Sequence, residues 1–206
     1  WLARLGYRGL SMRELTPYLA GARAGKVFGL TFDDGFLNVH RHALPVLEEL
    51  GFSATNYVVA GLIGGWNAWD AEKGVPRSPL MGRREIVEWA AAGNEIGAHT
   101  LDHADLALLD DAAAMSQIAG SRKRLEDLFD TPVDAFCYPY GSYRPQHAQM
   151  ARAAGFASAT TTVRGRVRGG ADLWQLPRVP VLRPTGFLQL AQKLFTAYEE
   201  RRARRG

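Results

Sequence analysis

Cysteine and long apolar runs are nearly absent from this sequence. Cys137 is the single cysteine among 206 residues, so no intramolecular disulfide can form and the redox compartment stays open. No apolar stretch reaches the roughly 18 residues that mark a membrane-spanning helix, and no segment has the layout of a signal peptide. Internal repeats and low-complexity segments are also missing. The net charge is only +4, and much of it sits in Arg201-Arg202-Ala203-Arg204-Arg205, where a solvated helix C-terminus favours cations. No nucleic-acid partner is therefore expected. What is present is ample apolar material: 47% of residues are hydrophobic, enough to bury the core of one domain over 1–206. The chain begins at Trp1 rather than methionine, as a trimmed or processed product does, and an N-terminal segment is expected to precede it.

Helix-like and strand-like segments alternate. Ser11-Met12-Arg13-Glu14 has the form of a capping box and predicts a helix to about Ala22. Val27 to Phe32 reads as a first strand, Val39 to Leu50 as a helix containing Pro45 and ending at Gly51, and Ala54 to Val59 as a strand. A long irregular stretch, Gly61 to Pro79, carries Trp66 and Trp69; loops of that length in a compact domain are usually functional. Helical patterning returns at Arg83 to Ala92, followed by a strand at Glu95 to Ala98. Asp110 or Asp111 caps a helix over Ala112 to Phe129, and Ala135 to Tyr138 is strand-like. Gln146 to Ala154 reads as helix and Phe156 to Thr162 as strand. A short strand at Arg178 to Val181 and a final helix capped by Thr185 complete the reading. Such alternation favours a parallel α/β architecture, whose active sites lie at the C-terminal ends of strands.

Three polar clusters fall at such ends. Asp33 and Asp34 close an apolar run just before Gly35; two adjacent carboxylates can serve one site only where the strand stops and the chain turns. His99 and His103, four residues apart, follow Glu95 to Ala98. With one carboxylate from elsewhere they make a facial set of three ligands, as in an open catalytic zinc site. Pro139-Tyr140-Gly141 follows the next strand.

In that order, Thr31-Phe32-Asp33-Asp34-Gly35, His99-Thr100-x-x-His103 and Tyr138-Pro139-Tyr140-Gly141 resemble the first three motifs of the polysaccharide deacetylases, the NodB-homology or carbohydrate esterase family 4 group. Ala43-x-Pro45-x-Leu47 and the Gly61-to-Pro79 loop resemble it too. The resemblance implies a distorted (β/α)7 barrel of the TIM-like type. It also implies a divalent metal, most often Zn2+, with Co2+, Ni2+ or Fe2+ compatible with two imidazoles and a carboxylate. By the same resemblance Asp34, His99 and His103 hold the metal and Asp33 is the general base toward metal-bound water. The backbone N–H of Tyr140 stabilises the oxyanion as an acetyl group leaves an N-acetylated sugar. The implied substrate is an N-acetylglucosamine polymer or oligosaccharide. An O-acetyl esterase or a non-catalytic carbohydrate-binding relative are the alternatives. Members of the family commonly work on exported polysaccharide, which places the protein outside the cytoplasm.

The sequence departs from that pattern in three places. Cys137 stands where many members have the arginine that pairs with the base, leaving Arg178 or Arg166 as replacements. Asp172-Leu173-Trp174 resembles only loosely the motif whose aspartate and tryptophan line the acetyl pocket. No histidine follows His147, although the usual fifth motif supplies one as general acid. The opening Trp1-Leu2-Ala3-Arg4-Leu5-Gly6-Tyr7-Arg8 resembles the segment just after the histidine in the branch that includes poly-N-acetylglucosamine deacetylases. That acid is accordingly expected upstream of Trp1. Of the remaining histidines, His147 is expected to be exposed, and His40 and His42 diverge on a helix. Thr100 is expected to orient its loop by a hydrogen bond. Pro139, Tyr140, Trp66, Trp69, Asp172, Trp174 and Arg178 are the candidate substrate contacts.

Overall fold

The structure is a computed structural model and describes residues 1–204. Its elements in chain order are β1 (Arg8–Leu10), α1 (Met12–Leu19), β2 (Val27–Gly29), β3 (Thr31–Phe32), α2 (Leu37–His42), α3 (Leu44–Leu50), β4 (Thr55–Val58), α4 (Arg83–Ala91) and β5 (Glu95–Ala98). There follow α5 (Asp111–Phe129), β6 (Ala135–Cys137), α6 (Pro145–Ala153), β7 (Ser158–Arg164), β8 (Leu176–Arg178), α7 (Phe187–Phe195) and α8 (Tyr198–Ala203). Strands β3 to β8 pair in sequence order, every pair parallel, and β1 pairs parallel with β2. Parallel neighbours need crossover connections, and the helices that supply them cover the outer face. The sheet curls into an open barrel of the distorted (β/α) type.

The expected distorted (β/α) barrel is present, with six strands in the curled sheet and β1 and β2 as a separate pair. The physical reason lies at Leu30. Its N–H bonds to the Leu10 carbonyl, while its own carbonyl accepts from the Thr55 N–H. The apolar run from Val27 to Phe32 therefore changes partner midway, from β1 to β4. Strand β1 itself was not foreseen, because it is three residues long and centred on Gly9, a poor strand former. A Cβ on Gly9 would stand 2.7 Å from Leu30 and 2.8 Å from Phe52, so glycine there permits close packing across the barrel floor.

Side-chain alternation divides the core in two. Tyr57, Ala135, Cys137 and Leu176 point into the barrel, where Leu10, Met12 and Leu15 join them. Val58, Ile96, Phe136 and Ala159 point outward onto Ile86, Trp89, Ile118 and Leu125 of the helices. Gly97 is required on the inner side, since a Cβ there would meet the Tyr57 ring at 2.5 Å.

Ser11 caps α1 by accepting from the Glu14 amide, and Asp110 caps α5 by accepting from the Ala113 amide. The single helix expected over Val39 to Leu50 is two, divided at Ala43, because Pro45 has no N–H to donate and sits in the first turn of α3. The last helix is likewise broken after Phe195, and its cap is Gly186; the Thr185 hydroxyl instead accepts from Leu182 N–H. The final strand starts earlier than Arg178. The Arg201-to-Arg205 run ends α8, with Arg205 outside the described residues, and Arg202 donates to the Tyr198 hydroxyl. No helix among the described residues is long and apolar enough to cross a membrane.

The stretch from Gly61 to Pro79 is ordered by its own contacts. It contains a 3₁₀ turn, Ala68–Lys73, and folds back through bridges between Trp66 and Pro79 and between Phe36 and Leu80. Buried Asn67 accepts from Ser78 N–H and donates to the Pro76 carbonyl.

Candidate active site and metal centre

The three polar clusters meet at the C-terminal rim of the sheet. Asp34 Oδ1 lies 3.3 Å from His99 Nε2 and 3.2 Å from His103 Nε2. Those three ligand atoms converge within 4.8 Å of one another. Opposite them, Asp33 receives both terminal nitrogens of Arg178, at 2.6 and 2.7 Å. Successive carboxylates thus face different partners because Phe32 ends β3 and Asp34 turns with a left-handed φ of 74°.

Left-handed backbone is concentrated at this rim. Among the described residues, the non-glycines with positive φ are Asp34, Thr100, His103, Asp130 and Tyr140. Four of those five belong to the site, and Asp130 is the C-cap of α5. Such conformations cost of order 1–3 kcal/mol and persist where surrounding structure over-determines them, which is typical of functional loops. The loop from His99 to His103 is held by Gln117 of α5: its Oε1 accepts from the amides of Leu101 and Asp102, and its Nε2 donates to Asp102. Gly61 N–H adds a 2.7 Å bond to the Leu101 carbonyl. Thr100 does not do this work through its side chain, since its buried hydroxyl has no partner. Gln117 was not foreseen, because an amide on a helix carries no motif.

The donor set fits a divalent metal. His99 Nδ1 donates to the Cys137 carbonyl at 2.7 Å, which fixes the ring plane and turns Nε2 toward Asp34. A second grouping of possible ligands, Asp33, His99 and Cys137, is also close together. It does not offer a comparable set, because Arg178 Nη2 lies 3.3 Å from Cys137 Sγ while the guanidinium saturates Asp33.

Electrostatics separate the two aspartates. Burial pushes the Asp33 carboxyl up, but hydrogen bonds and charge from Arg178 outweigh it and hold the group below its ordinary value. For Asp34 burial is again opposed, here by hydrogen bonds from His103 and His99, and the carboxyl sits far below the ordinary range. Both are carboxylates at neutral pH. Burial pulls His103 down.

Of the two arginines the sequence left open, Arg178 is the one that pairs with Asp33. It also donates to the Thr161 carbonyl and Thr31 Oγ1, so β8, β7 and β3 jointly fix it. Arg166 is engaged elsewhere, with Glu200. Tyr140 projects from the turn after β6, half-exposed, its ring centroid 4.6 Å from that of His103 in an edge-on arrangement, and buried Pro139 precedes it. Trp69 stacks on His103 with centroids 4.3 Å apart and planes 18° from parallel. Lys73 donates to the Tyr140 hydroxyl at 3.2 Å and pairs with Asp70. Trp66 lies outside this wall, under Arg77.

Asp172 and Trp174 are not brought to the cluster. Asp172 caps its own turn by accepting from Trp174 N–H and Gln175, and the Trp174 indole donates to the Phe156 carbonyl, beneath Arg152 of α6. They precede β8 at the end of the strands away from the rim. The expected exposure of His147 is also corrected. Its ring is fully buried, and Nδ1 accepts from Arg144 N–H at the start of α6, a capping role for which the ring must turn inward. His40 pairs with Glu88 on α4.

A sequence model of the polysaccharide deacetylases matches residues 20–159, which hold all three motifs. The chain belongs to the polysaccharide deacetylase family. It is 28% identical over 183 residues to YxkH of Bacillus subtilis, a protein provisionally named as a polysaccharide deacetylase, covering 88% of this chain and 61% of that one. This chain thus spans about three fifths of that relative's length. Among solved structures, the Streptococcus pyogenes deacetylase PplD, determined in complex with acetate, superposes with a TM-score of 0.82 at 26% identity, covering 94% of this chain and 82% of that one. IcaB from Ammonifex degensii gives a TM-score of 0.75 at 28% identity, with 93% and 84% covered.

Proposed function

We propose that this deacetylase-family chain is a metal-dependent hydrolase that removes acetyl groups from N-acetylated sugars of a poly- or oligosaccharide. The observation that carries the reading is the division of labour between adjacent aspartates: Asp34 faces two imidazole Nε2 atoms, while Asp33 is paired with Arg178. A divalent metal, most simply Zn2+, held by Asp34, His99 and His103 supplies Lewis acidity toward water and the acetyl carbonyl. Asp33 stays ionised there, takes the proton of the attacking water and returns it to the sugar nitrogen as the C–N bond breaks, so that acetate and a free amine are released. Arg178 orients that carboxylate and keeps it from competing as a fourth ligand. The turned backbone at Tyr140 offers its N–H to the developing oxyanion, with Pro139 buried beneath to hold the turn. The Tyr140 ring and Lys73 form the exposed wall that an incoming sugar meets. The similarity to PplD, whose structure contains acetate, supports acetyl as the group transferred. The family's association with exported polysaccharide supports action outside the cytoplasm.

The test is metal content and acetate release from N-acetylglucosamine oligomers, with Asp33→Asn and His103→Ala. Metal should persist in Asp33→Asn and be lost in His103→Ala, with acetate release abolished in both. Retention of metal by His103→Ala refutes the ligand set, and full turnover by Asp33→Asn refutes the base.

A further inference from the structure

A histidine that binds a metal through one ring nitrogen almost always donates the other N–H to a fixed acceptor, which sets the ring plane. His99 obeys this rule through the Cys137 carbonyl. His103 does not: its Nδ1 is buried without a hydrogen-bond partner among the described residues, on a residue only 5% exposed. Its backbone is also left-handed, with φ at 59°, a conformation that does little by itself to hold a side chain. What surrounds the ring is aromatic. The Trp69 indole lies flat on one face, while Tyr140 meets it edge-on at 4.6 Å and 85°, and His99 at 4.9 Å and 74°.

We propose that Trp69 is the positioning residue for His103, setting by stacking the ring plane that a hydrogen bond sets in His99, and so coupling the Gly61-to-Pro79 loop to the metal site. The inference rests on the reading of Asp34, His99 and His103 as metal ligands. Stacking restrains ring tilt but leaves rotation in the plane free. Asp34 and the edge contacts of Tyr140 and His99 then restrict that remaining freedom. The loop delivers Trp69 rigidly: the indole belongs to the Ala68–Lys73 turn, which Asn67 ties down on one side and the Asp70–Lys73 pair on the other. Lys73 in turn grips the Tyr140 hydroxyl and stands 4.5 Å over its ring, so one turn of chain fixes two of the three aromatic contacts of His103. One face of the indole is taken by His103, so a sugar ring could stack on Trp69 only from the other face.

The test measures Zn2+ affinity by competition with a chromophoric chelator, and the visible spectrum of the Co2+ form, for wild type and for Trp69→Phe, Trp69→Leu and Trp69→Ala. Loss of an outer contact to a metal ligand typically weakens metal binding about 10–100-fold. That loss is expected in Trp69→Leu and Trp69→Ala, with an altered Co2+ spectrum, while Trp69→Phe retains a stacked ring and stays within about 3-fold of wild type. A merely structural role moves the melting temperature of the metal-free protein but leaves the Co2+ spectrum alone. Should Trp69→Ala fail to fold, the Phe and Leu variants carry the comparison. Unchanged zinc affinity in Trp69→Leu together with a raised KM for oligosaccharide overturns the inference and makes Trp69 a sugar contact. Absence of zinc binding in wild type overturns instead the ligand reading on which it stands.

Discussion

Replacing Arg178 by methionine removes the guanidinium and keeps most of the stem. The two bonds it makes to Asp33 are short and charged, at 2.6 and 2.7 Å. Hydrogen bonds to charged groups contribute about 1.5–3 kcal/mol each, and breaking a buried ion pair by removing one partner costs about 3–5 kcal/mol. Here the side chains are 20% and 33% exposed, so solvent relieves part of that loss. The expected destabilisation near pH 7 is about 2–4 kcal/mol. Its pH dependence is specific. In the wild type the Asp33 carboxyl is held below its ordinary value of 3.8, so its contribution is present above that pH and is lost as pH falls through the folded value. In the variant burial and the charge of Asp34 are opposed only by His99, and the folded pKa is expected to move above 3.8. The group then disfavours the folded state once pH rises past the unfolded value. The gap between variant and wild type should therefore open from pH 4 to pH 8 in urea denaturation, and the acidic limb of acetate release should move to higher pH. Arg166→Met, whose partner is Glu200, is the control. If both variants show the same pH-independent loss, Arg178 is an ordinary structural arginine and the assignment of Asp33 as a tuned base fails.

Other perturbations have equally definite outcomes. Gln117→Leu strips the amides of Leu101 and Asp102 of their acceptor; it should cost about 1–3 kcal/mol and weaken zinc binding, whereas Gln117→Glu keeps the acceptor but sets a like charge against Asp102, so it should retain affinity in a chelator competition only when combined with Asp102→Asn. Gly141→Ala places a Cβ 1.8 Å from Thr162 Oγ1 at a φ of +68°, so acetate release should collapse, and the additional Thr162→Ala change should recover stability by thermal melting only in part because the backbone strain remains. Glu95 is buried and its pKa is raised, with burial the largest cause and bonds from Thr55 and Arg13 only partly offsetting it. A carboxyl whose folded pKa is raised loses stability as pH rises, so Glu95→Gln, which keeps an acceptor oxygen, should gain on wild type between pH 5 and pH 8 in denaturant titrations.

The parts of this molecule that were legible in the sequence are those where one residue type meets one physical need. Asp33, Asp34, His99 and His103 could be placed at strand ends because adjacent carboxylates and paired imidazoles have few structural uses there, and Ser11 and Asp110 announced helix starts by their side-chain oxygens. The strand count was less legible, since a single apolar run, Val27 to Phe32, serves two sheets and only the exchange of partners at Leu30 reveals it. Between Arg166 and Arg178 the sequence could not choose, because both are arginines in a glycine-rich or short-strand context; the choice is made by β8 pairing with β7, which carries Arg178 to Thr161, Thr31 and Asp33. His147 was misjudged for the same reason in reverse, as a helix-start position hides whether its ring points out or folds back to cap Arg144 N–H. Trp69 and Gln117 show the common limit. Each contacts the His99-to-His103 loop from an element far away in sequence, and a residue whose only signature is the neighbour that folding brings to it leaves no motif to read.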